Sequence, residues 1–140
     1  MKKIAQILIC AIVICGCIFS MASCKGGIKS AEAKAHIDEF FAAVVDEDFD
    51  KAESLLHPER PADLEEFCLG VEEAKEIDFQ EGIEIVKYTG FSSAFYDSSV
   101  GGSTYGLTMK TMVGEKEVRF TIEIVKNEAG FGIYNLDINA

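Results

Sequence analysis

Basic side chains are scarce in this sequence: 13 Lys and Arg stand against 24 Asp and Glu, for a formal net charge of −11. Nucleic-acid affinity rests on neutralising phosphates, so no nucleic-acid partner is expected. Histidine occurs only at His36 and His57, and with thiols far from both there is no Cys/His cluster of zinc spacing. Asp46, Glu47, Asp48 and Asp50 form an acidic run, but counting from Asp46 the sixth and twelfth places hold Lys51 and His57. A calcium loop needs Gly and a bidentate Glu there, so the run reads as a solvated turn between helices and no metal is expected. The pattern Gly-x-Ser-x-Gly is missing, and Gly101-Gly102 precedes a strand pattern rather than the helix a phosphate loop requires. At 140 residues the chain has room for about one domain, which excludes a multidomain enzyme.

Four of the five cysteines, Cys10, Cys15, Cys17 and Cys24, fall in the first 24 residues. There Lys2 and Lys3 precede an almost wholly apolar stretch over residues 4–19, followed by Ser20-Met21-Ala22-Ser23-Cys24 and Lys25-Gly26-Gly27. This is the three-part plan of a secretory signal. Ala22 and Ser23 directly before Cys24 resemble the bacterial lipobox, with Met21 where Leu is usual; Ile14-Cys15-Gly16-Cys17 is a second, poorer match. The resemblance implies that the Cys24 thiol receives a diacylglycerol and that cleavage follows on its amino side. Residues 1–23 are then a signal peptide, 24–29 the lipidated cysteine and tether, and 30–140 a single domain. An uncleaved anchor is the alternative, since the 19 residues 4–22 could just cross a hydrocarbon core of roughly 30 Å. Both readings put the remainder outside the cytoplasm, and lipidation would hold it on the extracytoplasmic face of a bacterial cell membrane. Removing residues 1–23 takes away two lysines and no acid, so the mature chain carries a net charge of −13.

Cys68 is then the one thiol of the folded part, and no intrachain disulfide is expected. It stands in the helical apolar pattern Leu64, Phe67, Cys68, Val71, among Glu65, Glu66, Glu72 and Glu73. Those neighbours do not stabilise a thiolate, so a buried inert thiol is expected.

The tether leads into Ala33, Ile37, Phe40, Phe41, Val44 and Val45, apolar residues at helical spacing, with Ser30 as the expected cap. A short helix is expected through Ala52, Leu55 and Leu56, with Asp50 and Glu53 as a capping box and His57-Pro58 as its stop. His57 should bond the last carbonyls there. Pro61 should open a third helix that Gly82 terminates. His36 flanks the first apolar stripe and should be partly exposed.

From residue 83 onward the period changes to two. Tyr105, Leu107, Met109, Thr111 and Val113, then Val118, Phe120, Ile122 and Ile124, read as the inner faces of two strands joined at Gly114-Glu115. In the last strand Tyr134, Leu136 and Ile138 should share one face, and Phe131, Ile133, Asn135 and Asp137 the other. Gly90 and Ser92-Ser93 suggest a bulge or break in the first strand. The expectation is an α+β domain with N-terminal helices packed on a four-stranded antiparallel meander.

The segments Phe40-Phe41-Ala42-Ala43-Val44 and Asp48-Phe49-Asp50-Lys51-Ala52-Glu53-Ser54-Leu55-Leu56, followed by His57-Pro58, a third helix and a terminal meander, are similar to the cystatin-like superfamily. The likeness is nearest to nuclear transport factor 2-like domains, in particular the lumazine-binding-like small bacterial lipoproteins of unknown function. It spans about residues 30–140, although no clear strand lies between the second and third helices, where many relatives have one. The resemblance implies a curved sheet and helices forming a cone whose interior can be a pocket. Enzymes of that superfamily place an Asp, or a His and Tyr, on the inner wall; here the inner faces carry neither acid nor histidine.

Tyr88, Tyr96, Tyr105 and Tyr134 are therefore the candidate pocket residues, each able to pack a ring and offer a hydroxyl. With no catalytic constellation and no cofactor expected, the leading reading is a non-enzymatic lipoprotein domain that binds a small apolar ligand or an envelope protein. An isomerase- or dehydratase-like or hydrolytic pocket enzyme is the alternative. A homodimer or structural module built through the wet sheet face, with Met112 and Val125 as its apolar residues, is the third.

Overall fold

A computed structural model describes residues 27–139; the signal, Cys24 and Ala140 lie outside them. Helix α1 (Ser30–Val45) buries Ala33, Ile37, Phe40, Phe41 and Val44 of the expected stripe, with Ala43 in addition, while Val45 is half-buried. Its cap is Lys29, whose backbone N–H reaches Glu32 Oε2 at 3.5 Å, while Ser30 is already helical. The other end closes as a Schellman motif: Glu47 N–H bonds Val44 O at 3.1 Å and Asp48 N–H bonds Ala43 O at 2.9 Å. Glu47 takes the left-handed conformation this requires, with φ 56°.

Helix α2 (Phe49–Ser54) starts before the expected box, because Asp48 caps it by accepting the Lys51 N–H at 3.2 Å. Glu53 instead accepts the Leu64 N–H at 3.0 Å, tying α2 to the start of α3 (Leu64–Lys75). Asp63 caps α3 through Glu66 N–H at 3.0 Å, so Pro61 lies ahead of the helix and not in its first turn. Glu76, left-handed at φ 55°, ends it well before Gly82. A 3₁₀ turn over Phe79–Glu81 leads into the sheet.

Strands β1 (Ile83–Asp97), β2 (Gly102–Val113), β3 (Lys116–Asn127) and β4 (Gly130–Asn139) pair in the order β1-β2-β3-β4, all antiparallel. The fold is thus α+β, helices first and an open four-stranded meander after. The inner faces of β2 and β3 are buried from Leu107 to Val113 and from Val118 to Ile124 at every alternate position, as the period of two demands. Phe41 of α1 and Phe79 lie against Phe120, with ring centroids 4.8 and 6.4 Å away. Thr111, fully buried, satisfies its hydroxyl by donating to Val118 O at 2.8 Å.

Two expectations on the sheet fail, the first through a local departure from strict alternation and the second through cover on the outer face. In β4 the register slips between Glu123 and Ile124: Leu136 opposes Ile122 while Ile133 opposes Ile124. Tyr134 is the extra residue of this bulge, so Ile133, Leu136 and Ile138 share the core face rather than being split across two. Val125, expected on the wet face, is fully buried. Its partner on β4 is Gly132, where an added Cβ would lie 2.6 Å from His57 N, so the chain leaving α2 lies against that corner of the outer face. Met112 is half-buried.

That same segment supplies what the sequence did not announce between the second and third helices. His57 N–H bonds Ile133 O at 2.8 Å and Ile133 N–H bonds Leu55 O at 3.0 Å, a one-residue parallel bridge of Leu56 onto the β4 edge. His57 is therefore buried, 1% exposed, and does not bond helix-end carbonyls. Its Nδ1 accepts the Glu59 N–H at 3.0 Å, which makes Nε2–H the donor to Asn127 Oδ1, also at 3.0 Å.

Candidate functional site

The β1 strand slips register between Ile85 and Lys87 and again between Tyr88 and Gly90. Each slip adds a residue and resets which side chains face the helices. As a result Tyr88 stands opposite Met109 and Phe91 opposite Leu107, both on the core side of the sheet. Helix α1 begins only at Ser30, so its first turns roof Tyr88 but leave Phe91 open, 73% exposed.

The space between is a groove of about 430 Å³, lined by Ser30 and Lys34 from α1, by the Tyr88 to Phe91 stretch of β1, and by Tyr105 and Leu107 from β2. Such a volume suits a small ligand. Lys34 Nζ sits 4.5 Å from the centre of the Tyr88 ring, a cation–π contact. Phe91 stacks on Tyr105 with centroids 6.3 Å apart and planes 26° from parallel. Burial, and then the charge of Asp38, push the Tyr88 hydroxyl above its usual range, so it stays a neutral donor and acceptor at physiological pH.

Two of the four candidate tyrosines, Tyr88 and Tyr105, are thus brought together. The other two are not. Tyr96 is 66% exposed at the end of β1. Tyr134, turned out by its bulge, is held between the His57 ring at 5.4 Å and the Arg60 guanidinium at 4.3 Å. It lines a separate cavity of about 240 Å³ with Leu56, Leu64, Phe67 and Leu136. Sequence reasoning missed Lys34 and Phe91. Lys34 is one turn after Ser30 on the margin of the α1 stripe, a signal that spacing could have given; Phe91 lies on the inner side by strict alternation from Ile83, because the two slips cancel before it, the second beside Gly90, where a bulge or break is expected.

No hydrogen bond joins a tyrosine hydroxyl to a carboxylate or an imidazole among the described residues. His36, half-buried, donates from Nε2–H to Leu55 O at 2.8 Å and meets Phe131 edge-on at 4.9 Å, which ties α1 to the end of α2. Asp137 is exposed and accepts from Asn139 Nδ2 at 2.6 Å. Cys68 is buried and its thiol is pushed up to about 12, by burial first and by the Glu72 charge second. No three His, Cys, Asp or Glu side chains converge as a metal set among the described residues, and no described helix is long and apolar enough to cross a membrane.

The groove therefore offers one cation, two phenols, a stacked aromatic pair and an apolar floor. No family model, no curated protein and no solved structure significantly matches this chain.

Proposed function

We propose that this chain is a bacterial lipoprotein, anchored through Cys24 on the extracytoplasmic face of the membrane, whose domain binds a small apolar ligand without transforming it. The groove between α1 and the β1–β2 hairpin carries the proposal: about 430 Å³, floored by Leu107, with Tyr88, Tyr105 and Phe91 for contact area and Lys34 as the one charge. The cystatin-like, nuclear transport factor 2-like plan belongs to the same proposal; the helices-then-meander order supports it. The same proposal makes the groove a place of binding through ring contact and one cation, the groups that line it.

The test of binding is native mass spectrometry of residues 25–140 purified gently from a bacterial host. An extra mass of a few hundred daltons that is lost on denaturation, and lost in Tyr105→Ala, supports the groove. A protein that remains free of any adduct and binds nothing from a lipid extract would end the binding reading. For the anchor, Cys24→Ala should abolish labelling by a fatty-acid analogue, and labelling that persists would end that assignment.

A further inference from the structure

The far end of β1 is unusually apolar for a surface. Phe91, Phe95 and Tyr96 are 73, 75 and 66% exposed, and Phe91 and Phe95, four positions apart, stand on the core side of the strand beyond the reach of α1. The polypeptide enters the domain at this same place. A Cβ on Gly27 would lie 3.5 Å from Phe95 Cδ2, and the next residue, Ile28, is 8% exposed in the core cluster. The entry point is thus fixed against the aromatic end of the sheet.

Cys24 precedes Gly27 by three residues, and three extended residues span at most about 11 Å. A bilayer's headgroup layer is roughly 5–7 Å deep on each side. If Cys24 carries acyl chains, its glycerol sits at that layer, and so short a tether cannot hold Phe95 far from it. The chemistry at this end fits. Aromatic rings favour the interface, and residues 25–36 hold Lys25, Lys29 and Lys34 against Glu32 alone, a locally basic stretch in an acidic chain. Of the acids at this end, Asp97 is engaged by the Ser99 N–H at 2.9 Å and hydroxyl at 2.6 Å and Glu59 by Asn127 Nδ2 at 2.7 Å, while Glu128 is exposed in the β3–β4 turn.

We infer that Phe91, Phe95 and Tyr96 form a second membrane contact, resting in the headgroup layer of the bilayer to which Cys24 is anchored. This rests on the lipid-anchor reading. It fixes the domain's orientation: the β1–β2 hairpin end points down, the Gly114-Glu115 turn points away, and the groove, which shares Phe91, opens at the bilayer surface where apolar molecules partition.

The sequence contains no tryptophan, so a single indole reports position without background. The full-length lipidated protein carrying Phe95→Trp is reconstituted in phosphatidylcholine vesicles with or without lipid brominated high on the acyl chain. Glu115→Trp, about 35 Å away along a twelve-residue strand, is the reference. The expected result is a blue-shifted Trp at position 95, quenched at least about twofold more than at position 115. Tyr96→Trp repeats the reading at a site whose side chain is equally free to change. Equal quenching at 95 and 115, with protein still floating with the vesicles, overturns the inference and leaves the anchor standing. Protein that does not float with vesicles fails the anchor reading itself. A blue shift at position 95 that ignores bromine and grows with protein-to-lipid ratio assigns the patch to a second copy of the chain and overturns the membrane contact.

Discussion

His57 and Asn127, 70 residues apart in the chain, are joined by a 3.0 Å hydrogen bond from the imidazole Nε2–H to the side-chain carbonyl. Asn127 gathers more than this. Its Oδ1 also accepts the Ala129 and Gly130 N–H groups of the β3–β4 turn, at 3.0 and 3.3 Å, and its Nδ2 donates to Glu59 Oε1 at 2.7 Å and Val100 O at 2.8 Å. One side chain therefore holds the α2–α3 connection, both hairpin turns at this end of the sheet, and the buried histidine. Asn127→Ala would leave His57 Nε2–H unpaired in a buried site, and the loss should be about 2–4 kcal/mol. Asn127→Asp should also destabilise, because its second oxygen would face Glu59 and the Val100 carbonyl. Urea midpoints of both variants decide this; wild-type stability in either would mean that the network is slack in solution.

Glu47 is held left-handed at φ 56° at the end of α1. A side chain in that region costs roughly 1–2 kcal/mol relative to glycine, and the Schellman bonds that demand the conformation are made by the backbone. Glu47→Gly should therefore stabilise the fold by about 1 kcal/mol. A lowered urea midpoint would show that the carboxylate contributes more than its backbone geometry costs.

The helix-then-meander order was legible because burial acts with fixed periods. Ala33, Ile37, Phe40 and Val44 could lie on one face only as a helix, and Val118, Phe120, Ile122 and Ile124 only as a strand. The site was legible in half. Tyr105 could be assigned to the core side by alternation, but the faces of Tyr88 and Tyr134 could not, because each sits at a bulge and one inserted residue reverses the faces beyond it; in β1 a second slip restores the alternation before Phe91. The burial of Val125 and His57 was hidden for another reason. It depends on the Leu56–Ile133 bridge, a long-range pairing carried by two backbone hydrogen bonds and by the missing side chain of Gly132, none of which has a local signature.

Cys68 bears on the proposed anchor. At 3% exposure, with its thiol pushed up to about 12, it should not react with a disulfide reagent at pH 8 while the protein is folded. If the chain is processed as proposed, Cys24 is blocked by its thioether and the signal cysteines are gone. Thiol titration should then count none before unfolding and one after. A fast thiol in the folded protein, or more than one thiol after unfolding, would mean that Cys24 is not blocked as proposed.

Glu72 carries the clearest pH dependence. It is half-buried on α3, and burial raises its carboxyl above the ordinary value near 4.5; the Phe79 N–H, 3.2 Å from Oε2, works against this, while Asp78 and Glu47 push it up further. The sign follows from linkage. Between the unfolded value and the raised folded one, the native state binds more proton than the unfolded chain, so stability falls as pH rises through that window and stays lower above it. Glu72→Gln keeps an acceptor for Phe79 and removes the charge. It should be more stable than the wild type at pH 7, and the advantage should shrink toward zero as pH is lowered through the window to 4. Urea midpoints at pH 4, 5, 6 and 7 give the comparison. A variant less stable at pH 7, or an advantage that does not change with pH, would mean that the carboxylate is better solvated in the folded protein than its neighbours imply.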